Sequence, residues 1–185
     1  MDEICINRIL NGDPEAFRQL IAKYKDMAYS IAMSVVKDEF YAEEIIQGSF
    51  LIAYSKLATF KGASKFSTWF YRIVTNESFK LAKRHKAEFV YYMDAPPEIS
   101  DEIDNAILKL EEDDQKYFIN EALKILSAKE SLTLRLFYLE ENSIEEISGI
   151  TGWSSSNIKV VLHRARFNLR YILSEIYKLD KKVLY

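Results

Sequence analysis

Residues 143–166 read SIEEISGITGWSSSNIKVVLHRAR, and this stretch decides the fold of the C-terminal part of the chain. Ser143 and Glu146 have the spacing of a capping box, in which each side chain bonds the other residue's backbone amide at the start of a helix. Isoleucines at helical spacing follow and indicate one buried face. Gly152 then supplies a turn, and Ser154 caps a second helix. The pattern predicts a helix-turn-helix.

The second helix of this motif has one apolar side and one polar, basic side. Ile158, Leu162, Ala165 and Leu169 recur at the spacing of a buried face. A short polar N-terminus followed by basic residues suits a helix that enters the major groove of DNA and holds flanking phosphates. An ordinary helical hairpin with a solvated basic face is the alternative. The candidate DNA-reading residues are Ser155, Ser156, Lys159, Val160, His163 and Arg164.

Composition excludes several classes of protein. The 185 residues include only five glycines and three prolines, which favours long helices, and no stretch alternates as a strand would. The single cysteine, Cys5, leaves no internal disulfide framework and is typical of the cytosol. No signal peptide, membrane span, P-loop or Cys/His ligand cluster is evident. We therefore expect a cytoplasmic protein that is not an enzyme and needs no metal or cofactor.

Charge is unevenly distributed along a chain of net charge −3. Residues 61–87 carry seven Lys/Arg against one Glu, and residues 159–185 carry seven Lys/Arg against two acids. Residues 88–115 between them carry ten Asp/Glu against one Lys. Two cationic segments separated by an acidic one suggest two nucleic-acid contacts joined by a linker that avoids DNA, although uneven surface charge is also common. The mildly acidic total favours DNA contact that depends on a partner.

Helical periodicity extends over most of the rest of the chain. Asp13 and Pro14 are typical of an N-cap and first helical residue, a second helix is expected from about Glu39 to Leu57, and a third from about Lys65 to Lys86. Ser127 and Glu130 repeat the capping-box spacing.

These elements predict an all-α protein with two small helical domains joined by an acidic linker. The first domain spans residues 1–86, the linker 87–115 and the helix-turn-helix domain 116–185. Pro96-Pro97 marks the linker, and a helix from about Asp101 is expected to lead into the C-terminal domain.

Aromatic and basic residues are interleaved at the start of the third helix. Six aromatic residues occur from Phe60 to Phe79 inclusive, among lysines and an arginine. Aromatic rings stack on unpaired bases while cations follow the backbone. The spacing favours a structural role for Trp69, whereas Phe66 and the polar loop before it are the more plausible base contacts.

Three segments together resemble the extracytoplasmic-function (ECF) class of bacterial sigma factors, the promoter-specificity subunits of RNA polymerase. Residues 42–50 (AEEIIQGSF) resemble the family's Ala-Glu-Asp-hydrophobic-hydrophobic-Gln-acidic-x-Phe segment. Residues 60–76 resemble its Phe-basic-Gly…Phe-x-x-Trp-hydrophobic-Tyr-Arg-Ile-x-x-Asn segment, and residues 143–166 its helix-turn-helix. The resemblance covers nearly the whole chain and implies two domains that bind core polymerase and two promoter elements.

The resemblance implies a docking surface for the clamp helices of the largest polymerase subunit on the second helix. A carboxylate and an amide on one helix face can meet arginines of a partner helix. Glu44 stands where Asp is usual, which preserves the charge, and Gly48 stands where an acid is usual. Docking would then rely more on Glu44, Gln47 and neighbouring apolar contacts. The implied polymerase-binding residues are Glu44, Gln47, Gly48 and Phe50.

The loop and third helix resemble the element that captures an unstacked base of the minus-ten promoter element. Asn76 matches a position whose amide lines that pocket, with a helix-surface amide as the alternative. Basic residues farther along would hold the backbone of the opening duplex. The implied minus-ten residues are Lys61, Ser64, Lys65, Phe66, Asn76, Lys80, Lys83 and Arg84.

The second helix of the helix-turn-helix would read the minus-thirty-five element as a duplex. Val161 stands where the family often has Arg, which removes a possible phosphate contact. Lys159, His163 and Arg164 could reach base edges or phosphates, and Val160 a thymine methyl. Implied partners are core RNA polymerase (clamp helices and flap), promoter DNA and an anti-sigma factor. The alternatives are a stand-alone helix-turn-helix regulator and a recombinase, for which Tyr71-Arg72 would be the weak catalytic candidate.

Overall fold

The computed structural model describes residues 2–85 and 112–183, and all regular structure in these ranges is helical. The predicted all-α fold is therefore confirmed. The predicted acidic linker lies almost entirely outside the described residues, as does the helix start expected near Asp101.

The N-terminal unit is built from four α-helices and one short turn. Its first helix was not predicted from the sequence; Asp2, at its start, accepts hydrogen bonds from the Lys23 ammonium (2.6 Å) and the Tyr24 hydroxyl. These bonds fasten the helix to the side of the next one. The elements are α1 (Asp2–Leu10), α2 (Glu15–Val36), α3 (Glu39–Lys56), a 3-10 turn (Leu57–Thr59) and α4 (Phe66–Arg84).

Helix starts in this unit follow from local side-chain chemistry. Pro14 occupies the N-cap position of α2, one residue later than predicted, and Asp13 still accepts a bond from the Glu15 backbone N–H at 3.1 Å. Asp38 caps α3 by accepting from the Tyr41 amide at 3.0 Å. These contacts satisfy N–H groups that the first turn leaves without helical partners.

Aromatic rings dominate the core between α2, α3 and α4. Phe50 stacks on the fully buried Phe70 with ring centroids 4.6 Å apart, and Phe66 stacks on the same residue at 6.0 Å. Tyr24 closes this column from α2, 5.3 Å from Phe66. Because each ring buries a large apolar area, this column fixes the relative positions of the three helices.

The C-terminal unit contains the helix-turn-helix. Both predicted capping boxes are formed, at Ser127 with Glu130 and at Ser143 with Glu146. Gly152 ends the first helix of the motif in the left-handed conformation (φ 75°), which glycine adopts without strain. The elements are α5 (Glu112–Ile125), α6 (Ala128–Leu134), a π-helical turn (Arg135–Leu139), α7 (Ile144–Thr151) and α8 (Ser155–Val183).

The two units pack directly on each other. Helix α2 contacts α6, and α4 contacts α7, the first helix of the helix-turn-helix. The second contact places the two parts of the chain with predicted DNA contacts side by side.

Candidate nucleic-acid interface

Helix α8 presents the predicted reading face to solvent. Ser154 caps the helix by accepting from the Asn157 amide at 3.3 Å, as the sequence indicated. Ile158, Leu162 and Ala165 are almost completely buried beneath it. This burial fixes which side of the helix faces outward. The exposed side carries Ser155, Ser156, Lys159, Val160, His163 and Arg164.

Arg164 differs from the other reading-face residues because it is bonded to the core of its unit. Its Nε lies 2.9 Å from Oε1 of Glu130, whose side chain is only 3% exposed. The same oxygen accepts from Asn168 Nδ2 at 2.9 Å, and the other carboxylate oxygen accepts from the Ser127 hydroxyl at 2.6 Å. Glu130 thus joins the start of α6 to the middle of α8. Arg164, half exposed, can still turn the outer part of its guanidinium toward a phosphate.

Val161, which stands where the family often has arginine, lies at a buried position. The side chain is buried, with 4% of the residue exposed, on the inner side of α8. An apolar residue contributes packing there, whereas a cation would have to reach past the core to solvent.

The loop before α4 is exposed, whereas the first residue of α4, Phe66, is buried. Lys61, Ser64 and Lys65 are exposed. Phe66, predicted as a base contact, is only 4% exposed and packs among aromatic rings, although it also lines a cleft beside this loop. Trp69, predicted to be structural, is the more accessible of the two, although it still packs on Phe60 at 5.3 Å.

A cleft of about 540 Å³ lies between this loop and the start of the chain. Asp2 and Lys23 form one wall, and Tyr24 and the loop residues Ser64 and Lys65 form others. Burial, together with the Asp2 carboxylate, raises the pKa of Tyr24 to about 12, so its hydroxyl remains a donor. The cleft offers both donors and acceptors beside the predicted base-capturing loop.

The remaining predicted minus-ten residues lie along α4. Asn76, Lys83 and Arg84 are exposed. Lys80, also exposed, pairs with Glu77 one turn earlier, with Nζ and Oε2 3.1 Å apart. The exposed amide of Asn76 fits either a pocket-lining role or a plain surface residue.

A groove of about 320 Å³ between α3 and α4 combines residues that the sequence assigned to different partners. Glu44, Gln47 and Gly48 line it from α3, while Lys80 and Arg84 line it from α4. A Cβ added at Gly48 would meet no atom within 4 Å, so the missing side chain leaves space open to a partner. The groove therefore presents acids, amides and cations to the same ligand.

Phe50, predicted to bind the polymerase, is instead a core residue. It is 8% exposed and stacks on Phe70. Its neighbour Leu51 is 72% exposed and lines the groove beside Gly48. Sequence analysis missed Leu51, because Phe50 belongs to the segment that resembles the family (residues 42–50) and was the stronger signal.

The contact between the two units reaches one residue of the predicted minus-ten surface, Lys65, which immediately precedes α4. Lys65 Nζ lies 2.6 Å from Oε1 of Glu146, and this bond holds the pKa of the Glu146 carboxyl below its usual range. One turn along α7, a Cβ on Gly149 would lie 3.0 Å from Cγ2 of Thr68. Phe79 and Trp153 meet edge to face at 5.9 Å. Nothing in the local sequence patterns indicated these contacts.

Comparison with known proteins supports the two-domain resemblance. Sigma-70 region 2 matches residues 20–88, and sigma-70 region 4 matches residues 119–169. The chain is 29% identical over 184 residues to the ECF RNA polymerase sigma factor SigW of Bacillus subtilis, covering 92% of this chain and 96% of that protein.

Solved structures show a similar fold. CnrH, in its complex with the cytosolic domain of CnrY, matches with a TM-score of 0.64 and 21% identity, over 94% of this chain and 97% of that one. The sigma factor RpoE, in complex with the anti-sigma factor NepR from Bartonella quintana, matches with a TM-score of 0.60 and 22% identity, over 85% and 96%.

In the part of the chain that the structure describes, no helix combines the length and apolar character needed to cross a bilayer. The two sigma-70 regions occur in order along the chain and coincide with its two helical units. The chain therefore belongs to the extracytoplasmic-function class of sigma factors, which direct the initiation of transcription by RNA polymerase.

Proposed function

We propose that three surfaces of this chain divide the work of a sigma factor. The α3–α4 groove binds the clamp helices of core RNA polymerase, and the helix-turn-helix unit also contacts the flap. The loop before α4, with Asn76, holds a strand of the minus-ten element, and α8 reads the minus-thirty-five element. The observation that carries the assignment is the outward polar and basic side of α8 above a fully buried inner side.

The reading role of α8 can be tested at Lys159. The residue is exposed, and among the described residues it has no ion-pair partner, so Lys159→Ala removes a contact to DNA and little else. A lost phosphate contact weakens binding at all sequences and reduces the salt dependence by about one counterion, whereas a lost base contact costs about 1–3 kcal/mol at one position.

The measurement is binding of duplex promoters by the chain with core polymerase, using fragments selected from a randomised library. Lys124→Ala is the matched control because Lys124 is an exposed lysine of the same unit, on α5, that pairs with Glu121. Equal losses in both variants would contradict a reading role for α8. A pre-melted downstream fragment should bind Lys159→Ala as well as wild type.

The docking role of the groove can be tested by charge reversal. Glu44→Lys should lower affinity for core polymerase, because Glu44 lines the groove where an arginine of a partner helix would bind. Glu43→Lys is the control, since Glu43 is also exposed on α3 but does not line the groove. A pull-down in which both variants retain polymerase like wild type would remove the groove from the docking surface.

The melting role is tested by Asn76→Ala. Phe66 is unsuitable for this test because its ring is buried, so a substitution there would also disturb the core. The exposed amide contributes little to packing, so the variant should keep its thermal stability and polymerase affinity. Open-complex formation should fall, and a pre-formed bubble should not rescue it fully, because capture of the flipped base is still required. Unchanged bubble binding and transcription would exclude Asn76 from the site.

The chain acts in the cytoplasm and performs no catalysis, which belongs to the polymerase. Regulation by an anti-sigma factor is supported by the complex of the similarly folded RpoE with NepR. The isolated chain binds duplex promoters weakly, since its net charge is −3 and its cationic segments are small. Tight, sequence-specific binding without polymerase would favour a stand-alone regulator instead.

A further inference from the structure

Helix α8 continues its basic side beyond the predicted reading residues. Lys159, His163 and Arg166 follow one another at helical spacing, and all three are exposed. Arg166 lies about 10 Å farther along the helix than Lys159, because each residue advances it by about 1.5 Å. Residues 155–174 include no Asp or Glu. This side of α8 therefore offers a DNA backbone a longer line of cations than the predicted residues alone.

Arg166 is held in place by a tyrosine of another element. Its Nε donates to the Tyr138 hydroxyl at 2.6 Å, and its guanidinium carbon lies 5.6 Å from the centre of the Tyr138 ring. This bond uses one of the five guanidinium hydrogens, so the four hydrogens on the terminal nitrogens remain for another acceptor. Lys159, on the same side of α8, has no such support among the described residues.

Tyr138 stands in the π-helical turn, Arg135–Leu139. The turn is closed by the Glu140 backbone N–H, which donates at 3.1 Å to the carbonyl five residues back rather than four. Leu136 of this turn is fully buried, whereas Tyr138 is 51% exposed. The turn thus anchors the backbone in the core while its tyrosine reaches α8 at the surface. Turns of this kind are rare and occur frequently at functional sites.

The acids closest in sequence to Tyr138 leave the charge of Arg166 uncompensated. Burial raises the pKa of the Glu140 carboxyl, while the positive charge of Arg135 opposes that rise. Glu140 is thus close to the charge of Arg135, and within the described ranges neither it nor Glu141 forms an ion pair with Arg166. Arg166 is therefore an oriented cation that can bind an anion from outside the chain.

We propose that Tyr138 and Arg166 form a phosphate-binding pair for the DNA backbone beside the minus-thirty-five element. Arg166 makes the contact and Tyr138 is the positioning residue. The proposal rests on the reading role of α8 proposed above. A phosphate accepts from the terminal guanidinium nitrogens, and a side chain already held through Nε loses less conformational freedom on binding. Since phosphate contacts position a protein on the duplex, the pair fixes the register in which Lys159 and its neighbours read the bases.

The test measures binding of duplex promoters by the full chain with core polymerase, over a range of salt concentrations. Arg166→Ala should weaken binding about tenfold at every promoter sequence and reduce the salt dependence by about one counterion. Tyr138→Phe keeps the ring and removes the hydroxyl. It should weaken binding about threefold with little change in salt dependence, because the charge of Arg166 remains. Arg166→Lys should keep the salt dependence and make binding insensitive to Tyr138→Phe, since lysine has no Nε–H to hold.

Neutral phosphates distinguish a DNA contact from a role in the fold. Single phosphates that flank the minus-thirty-five element are replaced by methylphosphonate. At one position the replacement should weaken binding of the wild-type chain and leave Arg166→Ala unchanged. In the Arg166→Ala background, Tyr138→Phe should cause no further loss. Tyr117→Phe is the matched control, because Tyr117 on α5 is also an exposed tyrosine of this unit and no described cation lies over its ring. Thermal melting confirms that each variant is folded.

Three results would overturn the pair. One is wild-type promoter affinity and salt dependence in folded Arg166→Ala; if Lys159→Ala still weakens binding, the reading role of α8 stands without the pair. Another is a loss in Arg166→Ala that no single neutral phosphate reproduces. The third is a loss of core-polymerase affinity shared by Tyr138→Phe and Leu139→Ser, which would indicate a protein-docking surface, since Leu139 is the exposed apolar neighbour of Tyr138.

Discussion

Arg164→Ala should lower stability where Lys159→Ala does not, although both residues lie on the reading face of α8. Arg164 donates to Glu130, a carboxylate whose side chain is 3% exposed, so its removal leaves a buried charge with only Asn168 and Ser127 as polar side-chain partners in the described structure. Breaking a fully buried ion pair costs about 3–5 kcal/mol. Since Arg164 is itself half exposed and three donors remain (the Asn168 amide, the Ser127 hydroxyl and the Ser127 backbone N–H), we expect about 2–3 kcal/mol. The exposed Lys159 should cost about 0.5 kcal/mol or less.

Native-state hydrogen exchange measures this difference locally, which avoids treating two units as one cooperative transition. The buried segment from Glu130 to Leu134 should lose protection in Arg164→Ala and keep it in Lys159→Ala. Arg164→Lys should fall between them, because an ammonium restores the charge but not the planar geometry. A double-mutant cycle with Glu130→Gln should give a coupling of about 1–3 kcal/mol. Equal protection in Arg164→Ala and Lys159→Ala would refute the assignment of Arg164 to a buried network. Any loss of promoter binding in either variant would then indicate a direct contact between that residue and DNA.

Three further predictions test other parts of the fold. Thr75→Val should raise the melting temperature, because the Thr75 hydroxyl is buried without a hydrogen-bond partner among the described residues, and such a group costs about 1–3 kcal/mol; an unchanged or lower melting temperature would show that the hydroxyl is satisfied in solution. Gly152→Ala should lower the free energy of unfolding by about 1–2 kcal/mol, since Gly152 has φ 75°, whereas Gly48→Ala, in an ordinary helical turn, should raise it in the same urea titration. Burial lowers the pKa of Lys37 to about 7, so the folded chain binds fewer protons than the unfolded chain above that pH; its unfolding free energy should rise as the pH increases from about 7 toward 9, and Lys37→Met should flatten that rise.

Local signals in the sequence predicted the helices α2, α3 and α4 and the helix-turn-helix correctly. Capping boxes such as Ser143 with Glu146 depend on residues three apart, so the sequence alone contains the whole motif. The assignment of α3 to residues from Glu39 onward succeeded for a similar reason, because small and apolar residues recur at helical spacing over its length.

Neighbouring residues on a helix were harder to assign. Phe50 and Leu51 are adjacent apolar residues, and a wide apolar stripe accommodates either one. Phe66 and Trp69 posed the same problem one turn apart. In both pairs the buried member, Phe50 or Phe66, is the one that stacks on Phe70. Its burial depends on packing against other helices, which local periodicity does not show.

Contacts between the two units could not be predicted from the sequence patterns. Lys65 and Glu146 are 81 residues apart, and each has an ordinary local role, in a loop and in a capping box. Helix α1 was missed because its short apolar pattern precedes the first clear cap, at Asp13. Its position depends on bonds from Asp2 to side chains of α2.

The edge-to-face pair of Phe79 and Trp153 gives the chain an intrinsic optical reporter. The chain has two tryptophans, one in each unit: Trp69 packs within its own unit, while Trp153 touches a ring of the other. Separation of the units would bring water to the indole of Trp153 and shift its emission to longer wavelength. In a Trp69→Phe background, Trp153 is the chain's remaining tryptophan, so the emission of the free chain would report directly on separation of the units, without dyes.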